Sequence, residues 1–285
     1  MKKLPISLLL VVHNEEQYLE RCLVSCADLV DEILVVHDGP CTDRSLEICR
    51  RYTNHVEVRA FVGIPEPHMA YMCAQATNDW LFQLCPDEFF SEELRAQLEA
   101  LIQDERYQGY QILFPTLYKG NYYKVFHKII LIDKKFFYFV GAPSEYFHPL
   151  NRKVNIKTLA FGIEHKPFYD NITFASFRKK WIPWTKVTAR YYAKEFREIP
   201  TYNCPRTDWD PRLRLRIDHP IFFGIIGSSV YQLAMGVKTF LSIRRVLFLK
   251  CTILMTLYQA LTFFYLWQYQ RQAKKEKALT QRAPV

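Results

Sequence analysis

The chain has 285 residues, and 49% hydrophobic with 24% charged is the composition of a globular protein with a sizeable core. Its charge is uneven: residues 1–150 hold 14 Lys and Arg against 21 Asp and Glu, whereas residues 151–285 hold 24 against 8. In the basic half, Lys and Arg alternate with long apolar runs, which favours an anionic membrane surface as the partner and argues against nucleic acid. The eight cysteines lack metal-ligand spacing, and reduced thiols are the simplest interpretation.

The first hundred residues alternate between strand-like and helix-like patterns. Residues 6–12 form an apolar run typical of a strand buried on both faces of a parallel sheet. Further strands are predicted over residues 32–36, 56–61 and 80–84, with a short helix over residues 67–76. This spacing predicts a doubly wound α/β sheet with helices on its faces.

Polar residues follow three of the predicted strands. Asn14, Asp38 and Asp87 each come just after a strand, so we expect them to line one crevice at the carboxyl edge of the sheet. Asn14 is also predicted to cap the first helix. Asp38 has two possible roles: its carboxylate could bind a base or ribose, or it could stabilise the turn at Gly39.

The segment NDWLFQLCPDEFFSEE, residues 78–93, carries the most chemistry. Its apolar run ends at Cys85-Pro86 and is followed by Asp87 and Glu88. Carboxylates at a strand's carboxyl end suit a hard cation and a phosphorylated ligand. The alternative is that both acids open the next helix, where negative charge stabilises the helix dipole. The pattern leaves both interpretations open.

Three segments, VVHNEEQYLERCL, EILVVHDGPCTDRSLEI and DWLFQLCPDEFFSEEL, together resemble the opening blocks of the inverting, GT-A-fold glycosyltransferases of family 2. These enzymes have a Rossmann-like, mostly parallel sheet and use nucleotide-sugar donors. The resemblance implies a nucleotide-sugar pocket whose lining includes Val11, His13, Glu15, Asp38 and Cys85.

In the same resemblance, LCPDE stands where the family has its DxD metal motif. Asp87 is then the expected ligand of a divalent metal, Mn²⁺ or Mg²⁺, that bridges the donor diphosphate. His165 falls where family members often place a histidine after a strand, which would complete the metal site or contact the diphosphate, and a structural histidine is the alternative. Cys85 replaces the first Asp of the motif, and a neutral thiol is a poor ligand for these metals.

After a helix predicted over residues 91–104, the alternation of strands and helices ends. Residues 109–118 and 122–132 are aromatic and β-branched and predict antiparallel strands, where a GT-A enzyme would bind its acceptor. GAPSE, ending at Glu145, resembles a segment in which relatives carry a His-Glu pair. Glu145 is therefore the candidate general base for the acceptor hydroxyl. A surface glutamate in a loop is the alternative.

The sequence predicts two domains. Residues 1–200 form the GT-A domain, with a nucleotide-sugar-binding half 1–105 and an acceptor-binding half 106–200, and residues 201–285 form a basic, apolar helical tail. Residues 220–237 and 251–269 are free of charge, and the second just reaches membrane-spanning length. Because every connection between them is basic, helices lying in the cytoplasmic membrane interface are expected. A helical subdomain that packs on protein is the alternative.

These expectations combine into one predicted function. The protein would move a sugar from a UDP-type nucleotide sugar to a membrane-proximal acceptor, such as a lipid-linked glycan or lipopolysaccharide core, at the cytoplasmic face of the membrane. A catalytically inactive relative that binds a sugar nucleotide or a protein partner is the alternative. A nucleotidyltransferase is disfavoured because residues 13–16 are acidic, where a basic, Gly-rich phosphate loop would be expected.

Overall fold

A computed structural model of the chain describes residues 3–118, 120–143, 146–167, 170, 173–243 and 246–280. It divides into two compact units, Met1–Tyr169 with Pro200–Pro205 and Asp170–Ile199 with Arg206–Val285. Residues 170–199 therefore group with the C-terminal helices, whereas the sequence-based division placed them in the first domain. The donor and acceptor halves stay predictions about function.

The first unit is built on strands β1 to β12, which are Leu4–Val12, Val30–Asp38, Val56–Arg59, Trp80–Leu84, Glu88–Phe90, Gly109–Tyr118, Asn121–Asp133, Phe137–Val140, His148–Pro149, Ile156–Leu159, Ile163–His165 and Thr201–Tyr202. Seven of them form the central sheet in the order β10-β6-β7-β4-β1-β2-β3. Neighbours in this sheet pair in parallel except at β7, which is antiparallel to both β4 and β6. The mostly parallel α/β sheet predicted from the sequence is confirmed.

Strand β1 is buried on both of its faces, which accounts for its continuous apolar run. Leu8 and Leu10 are fully buried in one core cluster, and the intervening Leu9 is fully buried in a second cluster. Alternate side chains of a strand point to opposite faces of the sheet. A strand covered by a core on each face therefore needs apolar residues at successive positions.

The helices of the first unit cover these faces: α1 Glu16–Val24, α2 Ser45–Arg50, α3 Glu66–Gln75 and α4 Glu92–Gln103. Ser91 caps α4 by accepting a hydrogen bond from the Leu94 N–H at 3.2 Å. Asp87 and Glu88 precede this cap, and Glu88 begins β5, so the interpretation that both acids open the helix was wrong.

The predicted capping role of Asn14 was also wrong. Glu15 precedes α1 without a side-chain cap, while Asn14 has a left-handed φ of 52°. The Asn14 Oδ1 instead accepts a hydrogen bond from the Thr42 N–H at 2.7 Å. Asn14 therefore joins the loop after β1 to the loop after β2.

The second unit is helical: α5 Phe174–Ser176, π-helical turns over Phe177–Trp181, α6 Ile182–Tyr192, α7 Pro211–Asp218, π-helical turns over Pro220–Gly227, α8 Ser228–Ile243 and α9 Val246–Thr280. Helices α8 and α9 run antiparallel, since Gly236 lies against Thr252 and Gly224 against Phe263. By length and composition, Pro220–Lys238 and Leu249–Glu276 are each able to cross a membrane, and each has 22% of its apolar window buried in the protein.

Gly236 offers a test of this helix pair. A Cβ at Gly236 would lie 2.0 Å from Thr252 Oγ1, whereas a Cβ at Gly227 meets nothing closer than 3.7 Å. We expect Gly236→Ala to lower the free energy of unfolding by about 1–3 kcal/mol through overpacking. Gly227→Ala is the matched control, expected to be neutral or stabilising because alanine favours a helix. Thermal unfolding in mild detergent measures both, and equal midpoints would contradict the close packing.

Candidate active site

The carboxyl ends of three parallel strands lie side by side at one edge of the sheet. Val12 of β1 is in register with His37 of β2, and Leu10 of β1 with Leu84 of β4. Residues that follow these ends therefore share one crevice, as the sequence predicts. Val11, half-buried near the end of β1, is in register with Val36.

Two histidines connect the first two loops of the crevice. The Asn14 N–H donates to His37 Nε2 at 3.3 Å, and the His37 Nδ1–H donates to the Gly39 carbonyl at 2.8 Å. His13 Nδ1–H donates to the Asp38 carbonyl at 2.6 Å. These bonds fix the orientation of the His13 ring at the rim of the crevice.

An aromatic surface adjoins this rim. The Phe61 ring lies 5.1 Å from the His13 ring, centroid to centroid, and Phe61 is 61% exposed. Glu15 Oε2 accepts a hydrogen bond from the His13 backbone N–H at 3.1 Å, and the Glu15 N–H donates to Ser45 Oγ at 2.8 Å. The exposed Phe61 ring and the His13 ring, which the Asp38 carbonyl holds in place, together give this rim an aromatic surface.

Asp38 uses both carboxylate oxygens to hold the loop after β3. Oδ1 accepts from the Val62 N–H at 2.6 Å and lies 2.9 Å from His68 Nε2, while Oδ2 accepts from the Gly63 N–H at 2.8 Å. Burial raises the pKa of this carboxyl, but the hydrogen bonds from His68, Val62 and Gly63 outweigh that effect, and the pKa lies below its ordinary value. The suggested role at its own Gly39 turn was wrong, because the carboxylate binds a loop more than twenty residues later.

Asp87 is the third residue of a tight turn that follows β4. The Glu88 N–H donates to the Cys85 carbonyl at 3.0 Å, which closes the turn with Pro86 at its second position. The Asp87 side chain is 21% exposed, and its Oδ2 lies 3.3 Å from Nε2 of His165 on β11. The two residues predicted for the metal site are therefore neighbours.

The protonation of His165 follows from its second contact. Its Nδ1 lies 2.7 Å from the Pro115 carbonyl oxygen, which only accepts, so Nδ1 carries a proton. Its Nε2 lies 3.3 Å from Asp87 Oδ2, so the two atoms are close enough to share a proton or a cation. Imidazole nitrogen with carboxylate oxygen is a donor set for a divalent metal.

Cys85, which is half-buried, and Glu88, which is buried, are the two ends of the same turn. Burial raises the pKa of the Cys85 thiol, and the charge of Glu88, with a smaller contribution from Glu15, raises it further, so the thiol is protonated. Glu88 forms an ion pair with Lys128 of β7. The sequence interpretation did not include Lys128, although a lone lysine inside the apolar run FHKIILI was a signal of a buried ion pair.

Ser144 and Glu145, the candidate base, lie outside the described residues. Within the described part of the chain, no group of three or more His, Cys, Asp and Glu is arranged to hold a metal ion. A metal at Asp87 and His165 would therefore complete its coordination with ligand oxygens and water, as Mg²⁺ does at phosphate sites.

Comparison with known proteins identifies the family of the chain. The sequence model of glycosyl transferase family 2 matches residues 7–182, more than half of the chain. The chain belongs to glycosyl transferase family 2. Among curated family relatives, an uncharacterised glycosyltransferase of Rickettsia typhi is 29% identical over 156 residues, which is 52% of each chain. One from Rickettsia prowazekii is 29% identical over 124 residues, 42% of this chain and 41% of the relative. The chain thus spans about half the length, or less, of these relatives.

Solved structures resemble the chain more distantly. Staphylococcus aureus TarS 1–349 in complex with UDP is 15% identical, with a TM-score of 0.41 over 68% of this chain and 66% of that one. Mycobacterium tuberculosis glucosyl-3-phosphoglycerate synthase in complex with Mg²⁺ and UDP is 21% identical, with a TM-score of 0.30 over 40% and 44%. The family assignment and the sheet topology establish the GT-A fold without these two.

The bonds of Asp38 predict a pH-dependent stability. We expect Asp38→Asn to lower the free energy of unfolding at pH 7 by about 1–3 kcal/mol, because buried donors lose a charged acceptor. The folded pKa is depressed, so the contribution of the carboxylate is fully present above its ordinary value of 3.8 and is lost as pH falls through the folded pKa. The difference between the variant and the native chain should therefore shrink below about pH 4.

Urea unfolding between pH 3 and pH 7 measures this difference, with the exposed Asp31→Asn as the control. Equal midpoints for the two variants at pH 7 would show that Asp38 does not hold the loop after β3.

Proposed function

We propose that the protein is an inverting glycosyltransferase that moves a sugar from a nucleoside-diphosphate sugar, of UDP type, to an acceptor presented at a membrane. The observation that carries the proposal is the Asp87–His165 pair at the end of β4, in the same crevice as the His13–Phe61 surface. A nucleotide sugar has a flat base at one end and a diphosphate near its sugar, and the crevice offers a surface suited to each.

The residues at the β1 and β2 ends would bind the nucleoside. The His13 ring, fixed by the Asp38 carbonyl, packs against the base together with Phe61. Asp38 and His68 lie behind this surface and hold its supporting loop, and Val11 and Glu15 shape the pocket around the sugar phosphates. The neutral thiol of Cys85 would line the pocket and would not bind the metal.

Asp87 and His165 would hold Mn²⁺ or Mg²⁺ together with diphosphate oxygens. When bound, the metal supplies Lewis-acid stabilisation of the negative charge on the departing nucleoside diphosphate. His165 keeps its ring orientation through the Pro115 carbonyl, and the turn at Cys85 keeps the Asp87 carboxylate toward the crevice. The residues present fit a metal whose other ligands come from the donor.

Glu145 is the proposed general base, by its resemblance to the His-Glu segment of the family. Its carboxylate would take the proton from the acceptor hydroxyl as that oxygen attacks the anomeric carbon in line with the departing diphosphate. If the acceptor is a lipid phosphate, which is already anionic, this base is not needed. A lipid-linked glycan or lipopolysaccharide core is the acceptor class proposed.

Membrane association is proposed from helices α8 and α9. Residues 220–237 carry no charged side chain anywhere around the helix, yet the stretch is mostly exposed. An apolar helix that the protein does not cover needs another apolar environment. Basic residues lie at both ends of the pair, with Arg212, Arg214 and Arg216 before it and Arg271, Lys274 and Lys275 in the last turns of α9, which suits the anionic cytoplasmic leaflet.

A catalytically inactive relative is the second candidate, and the neutral Cys85 at the first position of the segment that resembles the metal motif is the observation that favours it. Such a protein would bind the sugar nucleotide without transferring its sugar. Calorimetry with UDP and Mn²⁺, beside a turnover assay, separates the candidates: binding without turnover favours the inactive relative, and absence of binding removes the nucleotide pocket from both.

The metal ligand gives the direct test of the enzyme. We expect Asp87→Ala to lower metal-stimulated hydrolysis of a UDP-sugar by about 100-fold or more, because charge stabilisation by the metal is worth several kcal/mol. A screen of nucleotide sugars with and without Mn²⁺ measures it, and the exposed Asp31→Ala serves as the control. Retained Mn²⁺ stimulation in Asp87→Ala would remove Asp87 from its proposed role.

The exposed apolar face of α8 gives a test of the membrane. The native chain should float with phosphatidylglycerol-containing vesicles in a density gradient, and less with phosphatidylcholine alone. We expect Val230→Glu with Val237→Glu to reduce flotation, because each charge costs about 2–4 kcal/mol in the bilayer. Val24→Glu, at an equally exposed valine of α1, is the control. Flotation of the double variant at the native level would contradict membrane contact by this face.

A further inference from the structure

Lys128 and Glu88 form a buried ion pair for which the proposed reaction has no direct use. The Lys128 side chain is 9% exposed and the Glu88 side chain 2%, so neither reaches the crevice as a ligand. Against the effect of burial, which lowers it, the carboxylate of Glu88 raises the pKa of Lys128 above its ordinary value, so the ammonium stays charged. A charge pair this deeply buried is costly and calls for a specific role.

The pair is connected to the turn that carries Asp87. Glu88 Oε1 binds the Lys128 ammonium, and Oε2 accepts the Cys85 N–H at 2.8 Å. The Glu88 N–H also donates to the Cys85 carbonyl, so the N–H and the carbonyl of Cys85 are both bonded to Glu88. Asp87 lies within this turn, and the Glu88 carboxylate holds the first residue of the turn in place.

Lys128 also adjoins the other candidate ligand. Its ammonium lies 5.2 Å from the centre of the Phe114 ring, and that ring lies 4.7 Å from the His165 ring. A cation over an aromatic face holds the ring in place. The Lys128 ammonium therefore contacts the turn that carries Asp87 through Glu88, and the His165 ring through Phe114.

We propose that Lys128 is a positioning residue that, through Glu88 and Phe114, holds Asp87 and His165 at the separation needed to share one divalent cation with a diphosphate. The proposal rests on the proposed function for its ligand, but its structural part concerns the turn alone. Supports behind metal ligands typically change metal affinity by about 10–100-fold when they are removed.

Four variants separate positioning from other roles. Lys128→Met leaves Glu88 as a buried, unpaired carboxylate, and Glu88→Gln leaves Lys128 unpaired. The double variant Lys128→Met with Glu88→Gln restores a neutral pair in which the amide oxygen of the introduced glutamine can still accept the Cys85 N–H. Lys135→Met, which breaks the exposed ion pair with Asp79, is the matched control.

Two measurements are made on the full chain: amide hydrogen exchange of the peptide containing residues 85–88, and calorimetric titration with UDP in the presence of Mn²⁺. For Lys128→Met we expect faster exchange at the turn and a Kd for UDP raised at least about 10-fold in Mn²⁺. The double variant should recover the exchange rate of the turn but only part of the UDP affinity, because its introduced methionine leaves no cation over the Phe114 ring, and Lys135→Met should change neither.

The outcomes distinguish the inference from the function on which it rests. Unchanged exchange in Lys128→Met overturns the positioning role. Faster exchange in Lys128→Met with no recovery in the double variant also overturns it, since the charge of Lys128 would then act directly. If hydrogen exchange at the turn changes as expected but the native chain does not bind UDP with Mn²⁺, the positioning role of Lys128 is retained and the proposed function is wrong.

Discussion

The central constraint in this protein lies at the end of β4, where the chain leaves the middle of a parallel sheet and must present one carboxylate to the crevice. Backbone groups at such a point are buried and need hydrogen-bond partners. The Cys85–Glu88 turn supplies them within four residues, through the Glu88 N–H and the Glu88 side chain. Asp87 gains its partly exposed position because its neighbour satisfies the buried groups.

The two acids that the sequence places at strand ends are used in different ways. Asp38 is buried and engages both oxygens with Val62, Gly63 and His68, which stabilises the loop after β3. Asp87 is more exposed, and one of its carboxylate oxygens faces His165. A carboxylate saturated by backbone donors is a structural anchor, whereas one that faces an imidazole nitrogen across 3.3 Å is suited to bind a cation.

Local pattern predicted the strands well. Residues 80–84 and 109–118 were predicted with the bounds that the structure shows, because buried strands are continuous apolar runs and the β6–β7 pair is rich in aromatic and β-branched residues. Asn14 was missed as a link because its left-handed φ and its bond to Thr42 depend on a loop 28 residues later. Helix-cap signals describe only the residues next to the helix.

The site was predicted residue by residue but not in its connections. Asp87 and His165 were proposed by resemblance, and they lie together because β11 pairs with β5. The partners that hold them in place come from elsewhere: Lys128 is 40 residues from Glu88, and Pro115 is 50 residues from His165. Contacts at such separations depend on sheet order, which a single sequence specifies only through the whole fold.

The charge balance at the turn explains how a cysteine fits the first position of the metal motif. The half-buried Cys85 thiol lies 3.9 Å from the Lys128 ammonium, and that ammonium already pairs with the buried Glu88. An aspartate at this position would place a second carboxylate against one ammonium, with Glu15 also nearby, and burial would make the excess charge costly. The neutral thiol keeps the buried pair balanced and leaves Asp87 as the carboxylate facing the crevice. In the proposed complex, most of the negative charge around the cation then comes from the donor diphosphate, so metal and donor bind best together.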